Sequence, residues 1–87
     1  MDKKELYKLK SKASQIESTI HIGKYGINNA VISELTKQLK KQKLVKIKIL
    51  KTATENIDRS IITKQLAELT NSYIIDTRGS IAVLYKK

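Results

Sequence analysis

The sequence predicts a compact two-layer α/β domain in which helices cover a mixed four-stranded sheet, and three observations lead there. Helical and strand-like hydrophobic patterns alternate along the 87 residues in the order α-β-α-β-α-β-β. No proline, internal repeat or low-complexity tract interrupts that alternation, so residues 1–87 read as a single domain without a linker. The last two strand-like segments flank Arg78-Gly79, a hairpin signal. Two strand-helix-strand units imply parallel pairing with right-handed crossovers, and the hairpin adds an antiparallel pair. A chain of this length can bury a modest core but not a core plus a separate catalytic lobe.

Each element has its own signal. Leu6, Leu9, Ala13 and Ile16 recur at helical spacing with Lys4, Lys8 and Lys12 on the other side, an amphipathic first helix. Residues 18–23 alternate, with Ile20 and Ile22 on one face and Thr19 and His21 on the other, a short strand ended by Gly23. Asn28 or Asn29 can cap a second helix whose buried stripe is Val31, Ile32, Leu35 and Leu39. That helix closes among Lys37, Lys40, Lys41 and Lys43, where cations suit the negative end of the helix dipole. Residues 44–50 form a strand with Val45, Ile47 and Ile49 on an apolar face and Lys46 and Lys48 on a polar one. A third helix is expected over about 57–71, with Asp58 near its start and Ile61 or Ile62, Leu66 and Leu69 inward. The final strands are 73–77 and 81–85, with Arg78 at the hairpin tip.

Composition narrows the function classes. There is no cysteine and a single histidine, so disulfide and thiolate-metal sites drop out and His21 cannot build a metal site alone. No apolar run approaches the roughly 20 residues that span a bilayer, and the charged, periodic N-terminal segment is no signal peptide. A soluble cytoplasmic protein is the expectation, with no membrane partner. Charge is the strongest signal: 18 Lys+Arg against 8 Asp+Glu, net +10. A thermophilic bias would raise Lys and Glu together, and here the acids do not keep pace. The excess is one-sided, net +9 over residues 1–51 and +1 over residues 52–87, which favours a polyanion-binding surface over uniform solubilisation.

The segment that could carry chemistry is Gly23-Lys24-Tyr25-Gly26, between a strand end and a helix start. Glycines permit unusual dihedrals and close approach by a phosphate. The helix behind offers unpaired N–H groups and a positive dipole end. Lys24 adds a point charge and Tyr25 a ring able to stack on an unpaired base. Glycines at such boundaries are also ordinary punctuation. The loop is neither a Walker A loop nor a dinucleotide fingerprint, so nucleotide hydrolysis is not expected. His21 has no evident nucleophile or carboxylate partner. Lys46 and Lys48 could track phosphates or form a solvated face, and Arg78 could contact nucleic acid or be merely exposed. Tyr7, Tyr73 and Tyr85 read as core or edge aromatics rather than stacking platforms; without Phe or Trp, RNP-type aromatic readout is unsupported.

Three blocks together resemble a known family: residues 20–27 (IHIGKYGI), 43–49 (KLVKIKI) and 79–86 (GSIAVLYK) are similar to the signatures of the CRM domain, the YhbY-like RNA-binding family. The resemblance covers nearly the whole chain in the right order. It implies a fold similar to the C-terminal domain of translation initiation factor three and a GxxG loop likened to that of KH domains. Stand-alone bacterial members associate with precursors of the large ribosomal subunit; plant members with repeated domains act in organellar group II intron splicing. Gly23, Lys24 and Gly26 match the family's loop glycines and basic residue, while Lys86 stands where an arginine usually follows the last strand's tyrosine. The family's Ala-His pair reads Ala13-Ser14 here, and a proline common before the first strand is replaced around Ser18.

The expectation is a non-enzymatic RNA-binding protein of ribosome assembly, with no cofactor, metal or small-molecule substrate. Its candidate RNA contacts are Gly23, Lys24, Tyr25, Gly26, Asn28, Lys46, Lys48 and Arg78. Two alternatives stand beside it: an Alba-like architectural protein binding duplex DNA, and a structural assembly subunit whose contacts are mainly with protein.

Overall fold

The computed structural model describes residues 1–55 and 57–87. Among them α1 (Lys3–Ala13), β1 (Ile20–Ile22), α2 (Asn29–Gln42) and β2 (Leu44–Ile49) are followed by a 3₁₀ helix (Lys51–Thr54), α3 (Arg59–Thr70), β3 (Tyr73–Arg78) and β4 (Ile81–Tyr85). The element order is the expected one, with the 3₁₀ helix added. The sheet order is β1-β2-β4-β3, with β1 parallel to β2 and β4 antiparallel to both neighbours. β2 and β3 therefore run in the same direction but are not paired, because β4 lies between them.

The helix ends follow local chemistry. Asp2 caps α1 by accepting from the Glu5 N–H at 2.8 Å, and Asn28 caps α2 by accepting from the Val31 N–H at 2.9 Å. α2 stops at Lys43, whose φ of 68° turns the chain directly into β2. α3 ends with Asn71 in the left-handed region, the Ser72 N–H bonding back to the Ala67 carbonyl at 2.9 Å. Its buried stripe is Ile62, Thr63, Leu66, Ala67 and Thr70. Leu69, expected inward, is 60% exposed, and Ile61 also faces out. At about 100° per residue the buried set centres near Thr70, and Leu69 lies roughly 90° around the helix from that centre.

The expected two layers become three. Ile20, Ile22, Val45, Ile47, Ala82 and Leu84 form one sheet face, buried under α2 and α3. The opposite face carries Leu44, Ile75 and Val83, which pack with Ala13, Leu6, Leu9 and Ile16 of the α1 segment. The reason lies in β4: Ile81, Val83 and Tyr85 point one way and Ala82 and Leu84 the other, so the strand is apolar on both faces and requires cover on both. A bulge at Ile75 keeps both Ile75 and Asp76 on the α1 side.

The hairpin is also corrected in detail. Arg78 pairs with Ile81 as the last residue of β3, and the connection is Gly79-Ser80, with Gly79 at φ 52°. A positive φ suits the primed turns that match strand twist, which places glycine rather than arginine at the tip.

Candidate nucleic-acid interface

Residues 23–26 form a tight turn closed by the Gly26 N–H donating to the Gly23 carbonyl at 2.9 Å. Gly26 sits at φ 63°, which a side chain would strain. Gly23 is not held by φ, and a Cβ there would meet only Leu50 Cδ1 at 3.7 Å and Thr52 Oγ1 at 4.0 Å, ordinary contacts. Folding therefore accounts for Gly26 but not for Gly23. Between them Lys24 and Tyr25 project outward; Tyr25 is 82% exposed, with the Lys24 ammonium 5.5 Å from its ring centroid. That is cation–π distance, and it holds a positive charge beside an open aromatic face.

Behind the turn, Asn28 spends its side-chain oxygen on the Val31 N–H. The amides of Asn29 and Ala30, in the first turn of α2, have no intrahelical acceptor by helix geometry and lie in exposed residues. They add a positive dipole end beside Lys24.

The topology gathers further cations at this end of the sheet. β1 and β2 are parallel, so Gly23 follows β1 where β2 also ends, and the antiparallel pairing of Lys48 with Ile81 brings the β3–β4 turn to the same end of the sheet. Lys48 lies beside the edge-strand His21, both exposed on the α1 side of the sheet. Arg78 is 87% exposed and leans on Asp76 at 3.4 Å, a surface pair of little consequence for stability. Two cations outside the periodic sequence signals join them: Lys51 of the 3₁₀ helix and Arg59 of α3 share a hollow with Ser80. The 3₁₀ helix has no periodic signature, which hid Lys51, and only the docking of α3 brings Arg59 here.

Other candidates are held elsewhere. Lys46 is partly buried and donates from Nζ to the Ala13 and Ile16 carbonyls at 3.2 and 3.3 Å, so it closes the C-terminal end of α1. Lys86 likewise donates to the Thr70 carbonyl at 3.2 Å, tying β4 to the end of α3. Lys40, Lys41 and Lys43 stand at the far end of α2, whose 14 residues make it about 20 Å long. Tyr85 packs in the α1-side cluster and Tyr73 lies on an edge strand, while Tyr7, expected in the core or at an edge, is 77% exposed.

Beside the loop is a groove of about 640 Å³ between Tyr25, Gly26 and Ile27 on one side and the 3₁₀ helix and α3 on the other. Among the described residues no His/Cys/Asp/Glu group could hold a metal ion, and no helix is long and apolar enough to cross a membrane.

Fold and loop together define a small, strongly basic α/β protein that presents a glycine-bounded turn ahead of a capped helix. The sequence profile of the CRS1 / YhbY (CRM) domain matches residues 1–86, and the chain belongs to that family. It is 29% identical over 79 residues to "Probable RNA-binding protein YqeI" of Bacillus subtilis, covering 91% of this chain and 80% of that one. It is 31% identical over 78 residues to "Probable RNA-binding protein MJ0652" of Methanocaldococcus jannaschii, covering 90% of this chain but 58% of the relative. Its fold is similar to the solution structure of the hypothetical protein SAV1595 from Staphylococcus aureus, "a putative RNA binding protein". There the TM-score is 0.81 at 28% identity, over all of this chain and 88% of the other.

Proposed function

We propose that this protein is a non-enzymatic, cytoplasmic RNA-binding protein that holds the phosphate backbone in the 23–26 loop. Ribosomal RNA or a precursor of the large subunit is the proposed target, in ribosome assembly. The observation that carries the reading is the convergence of an exposed Lys24-Tyr25 pair, the start of α2 and the cations Lys48, Lys51, Arg59 and Arg78 at one end of the sheet. Family membership and the names of the relatives support RNA as the polyanion. Phosphate contacts supply affinity and orientation rather than sequence choice, so binding falls steeply with salt.

The test is RNA affinity over a salt series for the wild type and for Lys24→Ala. Losing one phosphate contact lowers the slope of log K against log salt by roughly 0.7 to 0.9. Unchanged affinity and slope would remove the loop from the site, and duplex DNA competing as well as structured RNA at equal salt would turn the reading towards a DNA architectural protein. Sedimentation with large-subunit precursors, lost in the Lys24 variant, tests the ribosomal target.

A further inference from the structure

We infer that the groove beside the 23–26 loop receives an unpaired nucleobase, so that the RNA this protein takes is single-stranded where it crosses the loop. This rests on the reading that the loop holds RNA phosphate. It assigns a role to residues outside the loop, on the 3₁₀ helix and α3.

The groove's composition matches a base and not a phosphate. Its apolar walls come from Tyr25, Ile27, Ala53, Ile57 and Ile62. Ile27, Ala53 and Ile62 form its floor, packed into the core, while Tyr25 and Ile57, 82% and 44% exposed, leave apolar surface open to a ligand at its sides. Thr52 and Gln65 place a hydroxyl and a carboxamide among those walls, able to donate to and accept from the polar edge of a heterocycle. Of the ionised groups lining it, Lys24 belongs to the phosphate loop, and Glu55 repels a phosphate while accepting well from an exocyclic amine. The volume, about 640 Å³, lies in the general range of small-molecule pockets and leaves room for a base.

Charge complementarity selects the occupant. The lysine stands beside the groove on a chain of net charge +10, so the ligand that brings an apolar ring into it also brings an anionic backbone past Lys24. A base stacked within a duplex cannot leave its partner for the groove without unpairing, and an unpaired one enters freely.

The test compares three probes of equal length: a single-stranded oligoribonucleotide, the same strand with abasic sites at its central positions, and an RNA duplex. The intact single strand is expected to bind on the order of 10-fold more tightly than the abasic strand, the scale of one base contact. Ile57→Ser and Gln65→Ala, each at an exposed position and neither altering charge, should reduce that ratio to about 2 while leaving the Lys24-dependent salt slope intact. Circular dichroism checks that both variants are folded. Equal affinity for intact and abasic strands, with the salt slope still dependent on Lys24, overturns the groove and leaves the loop reading standing. A preference for the duplex also overturns it, as does discrimination untouched by either variant, which would place the base elsewhere. A slope independent of Lys24 removes the loop reading itself.

Discussion

Gly26 and Gly23 bound one turn under different constraints. At φ 63°, Gly26 is in a region where a Cβ costs about 1 to 2 kcal/mol, so Gly26→Ala should lower the stability measured by urea unfolding by that amount. Gly23→Ala meets no clash and no positive φ, and its unfolding curve should stay within about 0.5 kcal/mol of wild type. If the turn holds phosphate, Gly23→Ala instead weakens RNA binding, separating a residue kept for folding from one kept for contact. Lys43 gives the converse case: a lysine at φ 68° is strained, and Lys43→Gly is expected to raise stability by about 1 kcal/mol in the same measurement. Asn28 caps α2, and Asn28→Ala should cost about 1 kcal/mol whatever its effect on RNA.

Among the elements, α1 is the one whose place the patterning leaves open. Its apolar stripe shows that it packs, and only the two-faced β4 shows against what. Once α1 crosses the second sheet face, the carbonyls at its end meet Lys46 of β2. Lys46→Met should therefore fray α1, costing about 1 to 2 kcal/mol and speeding amide exchange in its last turn. RNA affinity should change less than in Lys24→Ala. α3 fills the other layer through Leu66, fully buried between helix and sheet, and Leu66→Ala should cost about 2 to 5 kcal/mol by the cavity it opens.

At the scale of the whole molecule, charge along the chain and charge in space differ. The first 51 residues hold nearly all the net excess, yet Lys40 and Lys41 lie at the far end of α2 from the loop, while Arg59 and Arg78 from the weakly charged second part join it. Distance beyond a Debye length screens the remote lysines at physiological salt. The double variant Lys40→Ala/Lys41→Ala should keep RNA affinity within about 2-fold at 0.15 M salt. Lys48→Ala/Arg78→Ala, which removes the same charge, should lose roughly 10-fold or more and flatten the salt slope. Filter binding of one RNA to the three proteins across a salt series makes the comparison.

By itself the sequence determined the elements and much of the loop. Periodicity set the helices and strands because each must bury one face, and Asn28 and Gly26 marked the cap and the turn because their constraints are local. The three matched blocks supplied the family for the same reason, each being a short continuous segment. The second core layer, the unpaired β2 and β3, and the fate of Lys46 waited for the tertiary structure. The register of β4 decides them, and residues distant in sequence set that register. The same holds for the groove: Tyr25, Ala53, Ile57 and Gln65 belong to separate segments, and only the docking of the 3₁₀ helix and α3 against the loop makes them one surface.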